Sequence, residues 1–430
     1  MKKVFLGLFV SILALPAVQA GITAEEIDQA AADVQPQVVE WRRWFHQNPE
    51  LSNREFNTSA KIAEILKEMG LEPQTGIAHT GVIAIIEGGL PGPLVAIRTD
   101  IDGLPVVEQT GLPFASTVRS EYNGQDVGVM HACGHDAHMS MVLGAAKILN
   151  DNKAELPGSV MLIFQPAEEG PPNGEDGGAS MMLDEGIFAE RMPAAVFGMH
   201  VGISIPGGQF ALKPGPMMAA SDSFKITVKG RQTHGARPWD GVDPVVIASQ
   251  IVLGLQTIAA RQVDVTLAPS IISVGRISGG VRYNVIPDQV MMEGTIRTFD
   301  ADMREYIHMA IERTARSIAG GSGAEIEFEV ALGAPAVQNN AELTEFVMPA
   351  LERASGKPVL AVQPQTVAED FSEYARVAPA VFVFLGNWPE DMDASKQPTN
   401  HSPYFSMHEP YLETGVKAFS HMVVDFLQAQ

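Results

Sequence analysis

Side chains able to hold a metal ion are spread over four short motifs that lie far apart in this chain. They are Cys133 and His135 in His131-Ala-Cys-Gly-His-Asp-Ala-His138, Glu169 in Gln165-Pro-Ala-Glu-Glu-Gly170, His200 in Gly198-Met-His, and His401 in Asn400-His-Ser-Pro-Tyr-Phe405. Each motif follows or adjoins an apolar, β-branched or glycine-rich stretch, so the five groups are expected to project from strand ends and loops. A fold that gathers them must bring several strand ends to one cleft, which open α/β sheets do at the carboxyl ends of their strands.

The donor types belong together chemically. Thiolate, imidazole and carboxylate suit zinc, and also manganese, cobalt or nickel where oxygen ligands contribute more. Five ligands exceed one tetrahedral site and fall short of two closed ones, which fits two divalent ions per subunit with open positions for water and substrate. Glu168 is then a spare carboxylate beside Glu169. It is placed to take a proton from the attacking water and deliver it to the leaving amine.

Hydrophobic periodicity predicts helices over Glu25 to Phe45, Ser59 to Met69 and His138 to Leu149, and strands over Val82 to Ile86, Leu94 to Ile97, Val160 to Phe164 and Ala195 to Val201. That alternation implies a doubly wound, mostly parallel sheet with helices on both faces. The turn-rich stretch from Ile205 to Pro216 ends the pattern. From 217 to 333 the order becomes strand (Ser223 to Val228), helix (Pro244 to Ala260), two strands (Ser270 to Ile277, Gln289 to Thr298), helix (Met303 to Ala319) and strand (Glu325 to Val330). This is the ferredoxin-like α+β pattern. The first domain, residues 21–216, resumes over 334–430 with a helix at Ala341 to Ala354, a strand at Ala380 to Leu385 and the His401 motif. The expectation is a two-domain α/β protein with the second domain inserted in the first.

Composition narrows the class further. With 430 residues and 46% hydrophobic content, the chain can bury at least two cores. Its 29 basic and 51 acidic residues give a net charge of −22, which argues against nucleic acid and anionic membranes as partners. Residues 1–20 read as a secretory signal: Lys2-Lys3, an apolar run from Val4 to Leu15, and Val18-Gln-Ala20 before Gly21. The run is short for a bilayer span and is followed by Pro16. The mature chain is therefore expected to be exported, periplasmic or secreted, without stable membrane association. Cys133 is the only cysteine, so no internal disulfide competes for it as a ligand.

The ordered motifs make the chain resemble the co-catalytic metallopeptidases that include aminoacylases and carboxypeptidases, and most closely their branch of hippurate hydrolases and indole-acetyl-amino-acid amidohydrolases. The resemblance runs through Trp41-Arg-Arg-Trp-Phe-His46 with Pro49-Glu-Leu-Ser52, Arg98-Thr-Asp-Ile-Asp-Gly-Leu-Pro105, the Cys133 and Glu168 motifs, Asn284-Val-Ile-Pro-Asp288, Ala368-Glu-Asp-Phe371 and His401-Ser-Pro. It implies ligation by Cys133, His135, Glu169, His200 and His401, Glu168 as the catalytic glutamate, and Asp102 as a carboxylate that orients a ligand. It implies that the inserted domain is a lid and dimerisation domain. From it His234, in Thr233-His-Gly-Ala-Arg-Pro238, reaches a partner's cleft to stabilise the oxyanion, while Asn284 and Arg297 hold the substrate carboxylate.

Some positions depart from the wider family. Asp100-Ile-Asp102 stands where the first ligand motif is usually His-x-Asp, which leaves the bridging group open, and Asp100 is not taken as a ligand. Asn400 and Thr366-Val367 replace the usual Leu and Met-Gly. Single Cys or His residues are commonly packing groups; their joint order carries the reading. His131 and His138 are read as supporting or helix-surface groups, and His46, His79, His308, His408 and His421 as structural. The expected activity is hydrolysis of the amide of an N-acyl amino acid or small conjugate by a homodimer. A carboxypeptidase or dipeptidase using the same centre, and an exported metal- or ligand-binding protein without catalysis, are the alternatives.

Overall fold

The computed structural model describes residues 21–389, 392, 393 and 396–430. The signal expected over residues 1–20 lies outside the described residues.

The chain begins with helix α1 (Ala24–Gln47), whose Thr23 cap and Glu26 form a reciprocal capping box. Helix α2 (Phe56–Glu68) and strands β1 (Gln74–Ile77), β2 (Gly81–Glu87) and β3 (Leu90–Asp100) follow. Then come helix α3 (His135–Asp151), β4 (Pro157–Gln165), β5 (Ala195–Pro206) and β6 (Phe210–Leu212). The inserted domain contains β7 (Ala220–Lys229), α4 (Pro244–Arg261), β8 (Ser270–Ser278), β9 (Gln289–Thr298), α5 (Ala301–Gly321) and β10 (Glu325–Ala331). The chain returns through α6 (Ala341–Ser355), β11 (Leu360–Ala361), β12 (Ala380–Trp388) and α7 (Pro410–Gln428).

Eight strands form the main sheet in the order β1-β2-β4-β3-β5-β12-β6-β11. Its central β4-β3-β5-β12 pairs are parallel and the flanking β1-β2, β2-β4 and β12-β6 pairs antiparallel. The central strands are buried along nearly their whole length and read as continuous apolar runs, as strands covered on both faces must. Register puts Asp100 beside Gln165 and Arg98 beside both Ile163 and Gly198, so three carboxyl ends stand level at one edge.

The inserted sheet is antiparallel, in the order β8-β9-β7-β10, with α4 and α5 packed together on it. Its core is separate from that of the main sheet. Helix α4 buries Ile247, Ile251, Leu255 and Ile258 at the near-helical spacing of one face. Each such side chain contributes about 1.5–3 kcal/mol when fully buried.

Differences from the sequence reading concern extent. Helix α3 starts at His135 rather than His138, because Gly134 at φ 103° turns the chain into it. Part of the stretch expected to be turns is strand: β5 runs on to Pro206, and β6 finds its partners in β12 and β11, far along the chain. Helix α7 was not anticipated; it packs on α1, α3 and α6.

Candidate active site

The site is supplied by the turn into α3 (Cys133 and His135), the loop after β4 (Glu168 and Glu169), the middle of β5 (His200) and the loop before α7 (His401). Gly134 separates Cys133 from His135 and has a left-handed backbone; a side chain there would meet Val201 Cγ2 at 2.3 Å. Glycine is thus required for Cys133 and His135 to face the same side. His135 Nδ1 lies 2.8 Å from the Asp102 carbonyl and 3.2 Å from Asp102 Oδ1, which leaves Nε2 buried without a hydrogen-bond partner. His200 Nδ1 is 3.0 Å from the Val201 carbonyl, and its Nε2 faces Cys133 Sγ at 3.3 Å. His401, in a left-handed conformation at φ 66°, donates its backbone N–H to Ala132 O and sets Nε2 3.0 Å from Glu169 Oε1.

These donors form two overlapping sets. Cys133, His135 and His200 make one, and Cys133, Glu169 and His401 the other, with the donor atoms of each set within 4.8 Å of one another. Cys133 is common to both, so its sulfur is within reach of the other donors of either set and would help to hold an ion in each. Asp100 is committed elsewhere, accepting from Arg98 at 3.0 Å and pairing with His138 Nδ1 at 2.7 Å.

The site fits cations. Burial and then the Glu169 charge push the Cys133 thiol up, and burial, then the neighbouring His138, pushes His200 well below the usual imidazole range. His200 is thus neutral and ready to ligate. In His135 burial is outweighed by the Asp100 charge and the Asp102 bond, and in His401 the bonds to Cys133 and Glu169 push the value up. A divalent ion would displace those protons and turn the thiol into a thiolate. The orphaned His135 Nε2 completes the case. Burial, then Glu369, Glu169 and Asp370, push the Glu168 carboxyl well above the ordinary carboxylate range. Glu168 Oε2 stands 3.8 Å from His135 Nε2, at the edge of the first set.

Several contacts around the site are not legible in the sequence. Arg98, fully buried, donates to Gln165, Asp100 and Asp370 and pairs with Glu369 at 3.0 Å, tying the Ala368-Glu-Asp-Phe371 motif to β3. Both motifs were visible as resemblances, but their electrostatic pairing was not. His138, expected to support ligands or lie on the helix surface, is buried: it bonds Asp100, accepts the Val201 N–H and meets the His200 ring edge-on, with ring centroids 4.5 Å apart. His131 is likewise buried, with both ring nitrogens unpartnered. Asn400 donates to the Cys133 carbonyl at 3.0 Å.

A cleft of about 1120 Å³ opens over Glu168 and Glu169 and is walled by Arg297, Arg304 and residues 332–335 from the inserted domain and its return. Arg297 donates to Thr295 Oγ1 and the Ile296 carbonyl and has no carboxylate partner among the described residues. His234 and Asn284 do not line this cleft. They stand together on a small exposed arm, where the Thr233–His234 strand pairs with Val285–Ile286 and Gly235 N–H donates to Asn284 O. Within one subunit the structure therefore groups Arg297 with the ligand set, and Asn284 with His234.

Residues 96–425 match the model of peptidase family M20/M25/M40. The chain belongs to that family. It is 39% identical to thermostable carboxypeptidase 1 of Saccharolobus solfataricus over 94% of this chain and 98% of that one. It is also 39% identical to N-acetylcysteine deacetylase of Bacillus subtilis over 91% of this chain and 97% of that one. Among solved structures it is similar to the Bacillus subtilis YXEP protein, a dinuclear metal binding peptidase from the M20 family, with a TM-score of 0.78, 36% identity, and 93% and 99% of the two chains covered. The chain is thus a metallohydrolase of the M20 peptidase and amidohydrolase family, which sets aside the reading as a binding protein without catalysis.

Proposed function

We propose that this M20 enzyme is an exported amidohydrolase that cleaves the amide bond of N-acyl amino acids or related conjugates of the hippurate type. It would act as a homodimer with zinc or manganese, or else cobalt or nickel, in its two-metal centre. The observation that carries the substrate reading is Arg297, a guanidinium without a carboxylate partner among the described residues, on the wall of the cleft that Glu168 and Glu169 also line. Its fork suits the carboxylate of an amino acid. The similarity to an N-acetylcysteine deacetylase points the same way.

When bound, the two divalent ions supply Lewis acidity that polarises the carbonyl and acidifies water. Cys133, His135, Glu169, His200 and His401 would hold them, and Asp102 would orient His135. Glu168 takes a proton from the attacking water and passes it to the leaving nitrogen, so the acyl carbon gains hydroxyl as the carbon–nitrogen bond breaks. His234 of the partner subunit supplies a donor to the oxyanion. The dimer reading draws support from β8, an edge strand whose outer side is unpaired among the described residues, and from the exposed Val246 and Leu253 on α4.

The 39% identity to a carboxypeptidase favours peptide hydrolysis as the second reading. Purified mature chain, analysed for metal, should hydrolyse hippurate or other N-acyl amino acids with higher kcat/KM than dipeptides, and lose this on chelation. Faster cleavage of dipeptides establishes the second reading instead. Export predicts that protein recovered from the periplasm or medium starts at Gly21; recovery only from the cytoplasm with residues 1–20 intact rejects it.

A further inference from the structure

The motif around Pro49-Glu-Leu-Ser52 has no part in the chemistry so far, yet four consecutive residues beyond Leu51 grip the site at different points. Ser52 Oγ donates to Asp102 Oδ2 at 2.7 Å. Asn53 Nδ2 donates to Glu175 and to the Asp176 carbonyl, and Arg54 pairs with Glu175 at 2.6 Å, both on the cleft wall. Glu55, completely buried, accepts the Ala167 N–H on Oε1 at 2.9 Å and the Thr80 hydroxyl on Oε2 at 2.6 Å. The segment is itself anchored: Gly103 N–H donates to Glu50 O, and the Glu50 carboxylate caps α2 at Asn57 and Thr58.

The Glu55 contact falls at a critical bend. Ala167 is buried with φ 51°, a left-handed conformation that its Cβ disfavours. Two residues later the Glu169 N–H donates to Asp102 Oδ2 at 3.1 Å. Buried carboxyl groups thus take the N–H groups at 167 and 169, and the residue between them is Glu168.

We infer that Glu55 is a positioning residue for the hydrolytic reaction: by accepting the Ala167 N–H while Asp102 accepts that of Glu169, it fixes the backbone on both sides of Glu168. The adjacent glutamates are thereby divided, Glu169 toward ligation and Glu168 toward proton transfer. This rests on the role proposed for Glu168. Burial, then the nearby Asp102 charge, push the Glu55 carboxyl up to about 8, so its use here is as a hydrogen-bond acceptor of fixed reach rather than as a full charge.

Reach and charge separate in two variants. Glu55→Gln keeps an acceptor oxygen at the same distance, and Glu55→Asp keeps the acid but withdraws it by one methylene. With metal content held at the wild-type value, Glu55→Asp should lower kcat by about 10- to 100-fold, the scale of an ångström-sized misplacement, with a much smaller change in KM. Glu55→Gln should restore most of that rate. Ala167→Gly in the Glu55→Asp background should recover part of it, because glycine holds the bend without the bond, giving a non-additive pair beyond the roughly twofold scatter of independent sites. Amide exchange of the peptide spanning residues 165–170 reads the same bond without turnover. It should be faster in Glu55→Asp than in wild type or Glu55→Gln.

Wild-type kcat and unchanged exchange in Glu55→Asp overturn the inference. So does a Glu55→Gln variant as slow as Glu55→Asp, which would show that an acceptor oxygen of the right reach does not restore the rate, or a rate loss matched by metal loss. If wild-type enzyme turns over no substrate on the panel, the proposed function fails, while the exchange comparison still decides whether Glu55 holds the bend.

Discussion

Adjacent Glu168 and Glu169 differ only in where the backbone sends them, and that makes their roles separable by mutation. Glu168→Ala should keep near-normal metal content and lose about two to four orders of magnitude in rate, the usual worth of a positioned proton carrier. Measurement of bound metal beside kcat decides it; high residual activity removes Glu168 from the mechanism. Cys133→Ala should do the opposite. Because Cys133 belongs to both donor sets, its loss should lower occupancy at both ions rather than one, read by titrating metal into apo-enzyme. Loss of only one ion, with the other held as tightly as before, would show that the thiol serves a single ion. His46, which matched no ligand position, is held by neighbours no sequence pattern reveals: Asp136 at 2.8 Å, Glu108 at 3.0 Å, and Arg42 on its own helix at 3.4 Å.

At the scale of elements, that His46 cluster joins α1 to the first turn of α3, next to His135. Burial would lower the His46 pKa, but the Asp136 charge and the bonds to Asp136 and Glu108 outweigh it and raise the value, with Arg42 opposing. A histidine with a raised folded-state pKa stabilises fully below its unfolded value of about 6.5 and loses that contribution as pH rises through the folded value. His46→Gln should therefore lower the melting temperature more at pH 6 than at pH 9. An equal drop at both would show that the histidine is held neutral. Period-2 and helical patterning made the central strands and the inserted strand-helix-strand-strand-helix-strand order legible, since each of these elements buries a local, repeating face. Strand β6 is three residues long, and its pairing with β12 and β11 is entirely non-local. No window of sequence contains that information.

The whole molecule places His234 and Asn284 on an exposed arm and Arg297 in the cleft, so a complete site within one subunit lacks the oxyanion donor expected of His234. If a second subunit supplies it, mixed dimers of Glu168→Ala and His234→Ala chains should regain up to one working site, while each parent dimer stays nearly inactive. The heterodimer must be formed by co-expression and purified through two different tags. A heterodimer with full metal content and no more activity than its parents would show that His234 does not act across an interface, whatever the fate of the metal centre.

Sequence alone determined the donor types, their order and the two alternations of elements, because ligand chemistry and hydrophobic period are properties of short segments. Tertiary structure decided that Cys133 is shared by both donor sets, that Arg98 meets the carboxylates of Glu369 and Asp370, and that Glu55 meets Ala167. Each of these is a contact between residues remote in the chain, set by strand register and by the buried polar groups' need for partners.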